Sequence, residues 1–161
     1  MIEGFLFVLT LVTALGCGLI AGVFFAFSTF VMRALAQLPA ARGIEAMNSI
    51  NVTVINPWFM LAFLGTALAS VVLVIAAIVE WEEPYAIYLL VGGLVYLAGV
   101  ILLTGRYHVP RNDALATLDP NAPDAESQWN HYVRTWKAGN HVRTIAPLAS
   151  AALLTIALRV S

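Results

Sequence analysis

The sequence predicts an all-α fold, a four-helix transmembrane bundle with a cytoplasmic amphipathic helix before the fourth span, in one domain over residues 1–161. Three observations carry this. Of the 161 residues, 61% are hydrophobic and 11% are charged, where a soluble domain has roughly a quarter charged. Four apolar runs approach or exceed the length needed to cross a bilayer. Seven of the eight Lys and Arg residues fall in only two of the three connections between those runs.

Each span follows from length, since about 20 apolar helical residues cross roughly 30 Å of hydrocarbon. The first covers about 5–30, within the 29 uncharged residues from Gly4 to Met32. The opening MIEG has no basic lead and the run is too long for a signal-peptide core, so it reads as a span. The second, 57–79, begins at Pro57, a favoured first helical residue. The third, 85–105, is bounded by Pro84 and Arg106. The fourth, 141–159, is short: only 15 uncharged residues, Thr144 to Leu158, separate Arg143 from Arg159. They rise roughly 22 Å, less than the hydrocarbon needs. Either Arg143 snorkels to the headgroups, or the helix draws Asn140, His141 and Arg143 down to membrane depth.

Orientation follows from the basic residues. Arg33, Arg42, Arg106, Arg111, Arg134, Lys137 and Arg143 lie in the first and third connections, while the second, EWEEP at 80–84, holds three acids and no base. The positive-inside rule then expects a multi-pass inner-membrane protein with both termini outside the cytoplasm. The lipid bilayer is the first expected partner. A net charge of −1 with no basic face excludes nucleic acid as a natural one. Ala14, Gly18, Gly22 and Ala26 recur every four residues, a small-residue face against which another helix can pack closely, in the bundle or in a homo-oligomer. The glycines of GCGLIAG lie inside an apolar helix with no preceding strand, so they are no nucleotide loop. The single cysteine, Cys17, excludes an intramolecular disulfide.

The polar chemistry lies in the two longer connections. Asn56 before Pro57 suits a helix N-cap, and Asn48 and Asn51 share a helical face beside Met47 and Ile55. In the third connection, Pro110 and Asn112 predict a turn, and Asn121-Ala122-Pro123-Asp124 a helix start. On the helix that follows, Trp129, Tyr132, Trp136, Asn140 and Arg143 fall within an arc of roughly 80°. That stripe is either an interfacial aromatic anchor or the wall of a pocket for a planar, oxygenated aromatic molecule. His108, His131 and His141 share no ligand spacing and the spans hold no acids, so no metal or haem is expected.

The segments AGVFFAFSTFVMRAL at 21–35, AMNSINVTVINPWF at 46–59, HVPRNDALATLD at 108–119 and WNHYVRTWKAGNHVRT at 129–144 resemble the anthrone oxygenase-like family of small membrane proteins. The resemblance covers nearly the whole chain, and Trp-x-x-x-Asn-His-x-Arg-Thr is its most specific part. It implies oxidation of an anthrone to an anthraquinone by O2 without metal or flavin, hence no cofactor. It points to Asn51, Asn112, Trp136, Asn140, His141 and Arg143, with Thr104 as a further position. The chain departs where relatives often have Asn-Val-Pro and it has His108-Val109-Pro110, which argues against His108 as the base. The expected catalytic set is His141 as base, with Arg143 and Asn140 stabilising the oxyanion. Trp129, Tyr132, Trp136, Asn51, Asn112 and Thr104 would bind substrate. A non-catalytic accessory or assembly subunit is the alternative, with Arg143 then paired to Asp113 or Asp119. Another is an oxidoreductase for a different phenol or quinol.

Overall fold

The computed structural model describes residues 4–160 and contains five helices among them. We number them α1 (Gly4–Ala36), α2 (Ala40–Thr53), α3 (Pro57–Val79), α4 (Ala86–Ala116) and α5 (Ala125–Val160). All but α2 are long and apolar enough to cross a membrane, so the chain is a four-span, multi-pass membrane protein. The spans form a ring in which α1 packs on α5 and α3, and α4 packs on both of those.

The spans are apolar on every side, as helices between a core and lipid must be. Cys17, Ile20, Leu73, Leu89, Tyr96, Val100 and Leu154 are sealed inside, whereas Leu15, Leu19, Leu68, Ile75, Ile145 and Leu148 face outward. Hydrocarbon offers polar groups no partners, so they pair across helices. Ser150 Oγ donates to Gly92 O at 2.6 Å and lies 3.4 Å from Cys17 Sγ. The Tyr96 hydroxyl donates to Phe63 O at 3.0 Å.

Close helix approach uses other small residues than the α1 ladder. A Cβ on Gly93 would lie 2.9 Å from Ser70 O, and one on Gly99 would strike Ala146. Ala14 is buried in the bundle, but Gly18 and Gly22 are exposed, with nothing within 4 Å of an added Cβ. The ladder therefore turns mostly outward.

Three helical turns widen to π geometry: Phe27–Val31 in α1, and Leu97–Leu102 and Thr104–His108 in α4. The last explains a departure from expectation. Pro110 predicts a turn, yet the helix runs on to Ala116. A proline ring clashes with the carbonyl four residues earlier and offers no N–H to it. Here the widened turn holds that carbonyl, of Arg106, so the helix absorbs the proline. The last span departs similarly. The stripe-bearing segment is no separate helix but the first half of one continuous 36-residue helix. That helix begins at Ala125, after a turn over Asn121–Asp124. Asn56 does cap α3, its Oδ1 accepting from Phe59 N at 3.1 Å.

A second apolar cluster closes the Arg-rich end of the bundle: Met32, Ile44, Met47, Leu115, Trp129, Tyr132 and Trp136. It holds α2 across the ends of α1, α4 and α5. At Gly43 the contact is so close that a Cβ would lie 2.7 Å from the Trp129 indole.

Candidate functional site

Between this cap and the apolar core lies a cavity of about 300 Å³, at the small end of the range for small-molecule sites. All five helices line it. Phe24 and Phe27 come from α1, Met47, Ile50 and Asn51 from α2, Phe59 and Phe63 from α3, Thr104 and Asn112 from α4, and Trp136 and Arg143 from α5. The wall is mostly aromatic and aliphatic, with few polar groups.

Arg143 is the only ionisable residue of the lining and is 5% exposed. Its Nη2 donates to Asn140 Oδ1 at 2.9 Å and its Nη1 to Thr104 Oγ1 at 3.3 Å. Its Nε is buried without a partner. The guanidinium carbon lies 4.3 Å from the Phe24 ring centre and 5.1 Å from that of Trp136, close enough for cation–π attraction. Among the described residues the only ion pair is Arg42–Glu45 on the surface. The pairing of Arg143 with Asp113 or Asp119, expected only under the accessory-subunit alternative, is absent. Burying a cation without a counter-charge is costly, so such a group is rarely retained for stability alone.

Asn140 holds this arginine in place without lining the cavity. Its Nδ2 donates to Phe24 O at 2.8 Å and to Ser28 Oγ at 2.9 Å. Ser28 is bonded in turn to Thr144 Oγ1 at 3.0 Å, and Thr144 donates back to Asn140 O. These bonds tie α5 to α1 around the widened turn at Phe27–Val31. Pro147, one turn further along α5, lacks the N–H that would bond the Arg143 carbonyl.

Asn112 is oriented by two donors that share its Oδ1, the Tyr132 hydroxyl at 2.9 Å and Trp136 Nε1 at 3.0 Å. Neither bond uses its Nδ2 donors. Asn51 approaches the Tyr132 hydroxyl without a bond of ordinary geometry, and its Nδ2 and Asn48 Oδ1 are buried and unpartnered. Buried amides with spare capacity beside a cavity are suited to a polar ligand.

The structure thus brings together Arg143, Asn51, Asn112, Thr104 and Trp136 at the cavity, with Asn140 directly behind. Three expected residues lie elsewhere. His141 is exposed, because one helical step of about 100° from Asn140 turns it off the buried stripe. Trp129 is buried between Gly43 and Tyr132, stacked on the Tyr132 ring at 5.7 Å, and forms part of the cap. Tyr132 touches the cavity only through Asn112, and its other side lines a polar hollow with Arg111, His131 and Arg134. His108 is buried against the Trp136 ring, Nε2 3.3 Å from the Trp136 carbonyl, and does not line the cavity. Sequence reasoning missed Phe24, Phe27, Phe59 and Phe63, whose signal is indistinguishable from that of any apolar span.

Fold and site define a multi-pass membrane protein with a ligand-sized aromatic cavity and one buried, unpaired cation. The chain belongs to the anthrone oxygenase family: the model of that family, described as anthrone oxygenase, matches residues 58–153, more than half the chain. No curated protein and no solved structure matches it significantly. The matched segment contains Thr104, Asn112, Trp136, Asn140 and Arg143.

Proposed function

We propose that the cavity binds a planar aromatic bearing an acidic phenol or ketone oxygen, such as an anthrone, and oxidises it with O2. The observation that carries this is Arg143, buried without a carboxylate and facing a flat apolar cavity. Loss of a methylene proton turns an anthrone into an anthrolate, whose charge rests largely on oxygen. A preorganised cation in a water-poor site stabilises such an oxyanion far more than it could in water. The electron-rich anthrolate then reduces O2. Overall one O2 is consumed, one of its oxygens becomes the new ketone, and the other leaves as water with the two methylene hydrogens.

In this reading Arg143 holds the substrate oxygen, and Asn51 and Asn112 offer further donors. Thr104 and Asn140 orient the guanidinium, and Trp136 with the phenylalanines sandwiches the ring system. The methylene proton is released to bulk water at the Arg-rich end of the bundle, and exposed His141 is left out of the reaction. Family membership supports the reaction class and the basic residues at this end of the bundle support its cytoplasmic location, with both termini on the far side of the inner membrane.

The test is oxygen uptake and quinone absorbance with purified protein and anthrone in lipid nanodiscs. Uptake above the protein-free background that Arg143→Gln abolishes is expected. Uptake equal to that background would exclude the reading.

A further inference from the structure

The cavity has an asymmetric rim. Of the lining residues only two are exposed, Ile55 at 72% and Val109 at 44%, and both are apolar. One belongs to the α2–α3 corner and the other to α4, so the gap by which the cavity reaches the surface lies between these two elements. Since α3 and α4 are neighbours in the ring, that gap points sideways, between two spans.

The corner itself is built for lipid. No charged residue occurs from Ala46 to Val79. Three large side chains around the corner stand out from the protein: Val52 at 74%, Trp58 at 82% and Leu61 at 68% exposure. Trp58 occupies the first turn of a span, where indoles anchor at the boundary between headgroups and acyl chains. Were this corner in water, it would expose a largely apolar patch with no charged residue to break it. On α4, Arg106 and Arg111 flank Val109 and mark the start of the charged end, so the mouth sits at the same boundary. The charged group of the site, Arg143, lies inward.

We propose that the cavity is loaded sideways from the bilayer, through the gap rimmed by Ile55 and Val109, by hydrophobic planar molecules dissolved in the acyl region. Such a molecule enters ring-first from lipid and meets Arg143 only at the end of its path. Its identity as an anthrone-like substrate rests on the function proposed above, but the direction of the mouth does not.

The experiment uses the full chain in phosphatidylcholine nanodiscs, with Ile55→Cys carrying a bulky fluorescent maleimide and Ile78→Cys, exposed to lipid far from the mouth, as the control. Cys17 is buried and stays unlabelled. Nitroxides on the acyl chains should quench the label at position 55 strongly, and aqueous iodide should not. The reverse pattern overturns the proposal whether or not anthrone binds. Anthrone binding is then followed through quenching of tryptophan fluorescence. The label at 55 should slow both association and dissociation by about tenfold or more with the equilibrium affinity little changed, as blocking a path rather than a contact requires. The label at 78 should change neither rate. Unchanged rates at 55 would overturn sideways loading. Absence of saturable quenching in the unlabelled protein would instead count against the anthrone reading and leave the quencher result to decide the mouth.

Discussion

Arg143 donates to Asn140 Oδ1 at 2.9 Å, three residues earlier on the same helix, while Asn140 Nδ2 reaches across to Phe24 O and Ser28 Oγ on α1. An amide here does what a carboxylate does in an ion pair, but without cancelling the charge. The guanidinium is thereby held rigidly and remains a cation available to a ligand. A carboxylate in that place would give a more conventional salt bridge and an unreceptive site.

Arg143→Gln should separate function from stability. Gln can still donate to Asn140 Oδ1, and it removes a buried charge that is costly to keep. Its melting temperature should stay within a few degrees of wild type, since surviving packing outweighs one altered bond. Anthrone oxidation should fall by roughly 100-fold or more, the usual loss when an oxyanion donor is removed. Parallel thermal unfolding and oxygen-uptake assays check both.

Asn140→Ala should lose both properties together. It removes the side-chain donor to Phe24 O and Ser28 Oγ and strands one guanidinium arm, at about 1–3 kcal/mol for a buried group left unpaired. Denaturation in mixed micelles should show that loss, and turnover should fall because Arg143 is no longer positioned. A variant as stable and active as wild type would mean that the α1–α5 network is incidental.

Gly43→Ala tests the cap. Its Cβ would meet the Trp129 indole at 2.7 Å, and overpacking of this kind costs about 1–3 kcal/mol. We expect amide hydrogen exchange to rise in α2 but not in α3. Ligand affinity should drop as well, because α2 carries Asn51 and Met47 into the cavity.

His141→Ala should be silent. The side chain is exposed and off the buried stripe, and such changes typically alter stability by no more than about 0.5 kcal/mol. Steady-state oxidation within about twofold of wild type is expected, small against the losses seen when a general base is removed. A collapse of activity would restore His141 as the base and require the helix to rotate on binding.

At the other end of the bundle, the Tyr85 hydroxyl donates to Glu80 Oε2 at 2.5 Å. That bond first, then burial and the nearby acids, pushes the Tyr85 phenol up to about 12. The protonated phenol is the form that the fold favours. Its stabilisation is therefore fully present below the ordinary tyrosine value, about 10, and is lost as pH rises through about 12. In an ultraviolet titration, Glu80→Gln should move one late-ionising tyrosine back toward the ordinary value.

Much of this architecture was legible in the chain because it depends on local arithmetic. Run length, together with the placement of seven basic residues in two connections, points to four spans, for a membrane leaves unpaired backbone no other option. Asn56 and Pro57 mark the start of α3 by cap chemistry, which involves only neighbours in sequence. The helical period places Trp129, Tyr132, Trp136, Asn140 and Arg143 on one stripe, and all five are buried. The amphipathic helix and the fourth span are nevertheless one rod, because Gly139 lies against Tyr107 and His108, and that packing spares the helix a break. The same kind of reasoning misjudged Pro110, since nothing local announces that the turn before it will widen.

What each stripe residue touches depended on the tertiary structure. Trp129 and Trp136 are equivalent by periodicity, yet one meets Gly43 and becomes cap while the other meets Asn112 and becomes wall. Asn140 and His141 are adjacent in sequence, and one turn angle sends the first to α1 and the second to the surface. Phe24 and Phe59 became cavity walls only because α2 folds over the bundle end without filling it. Sequence alone determined that an arginine would stand at the edge of a short fourth span. Only the packing of five helices decided that it would keep the Asn140 amide, gain the Phe24 face and meet an open cavity instead of a carboxylate, because Asn140 is itself held by Phe24 and Ser28, more than a hundred positions away.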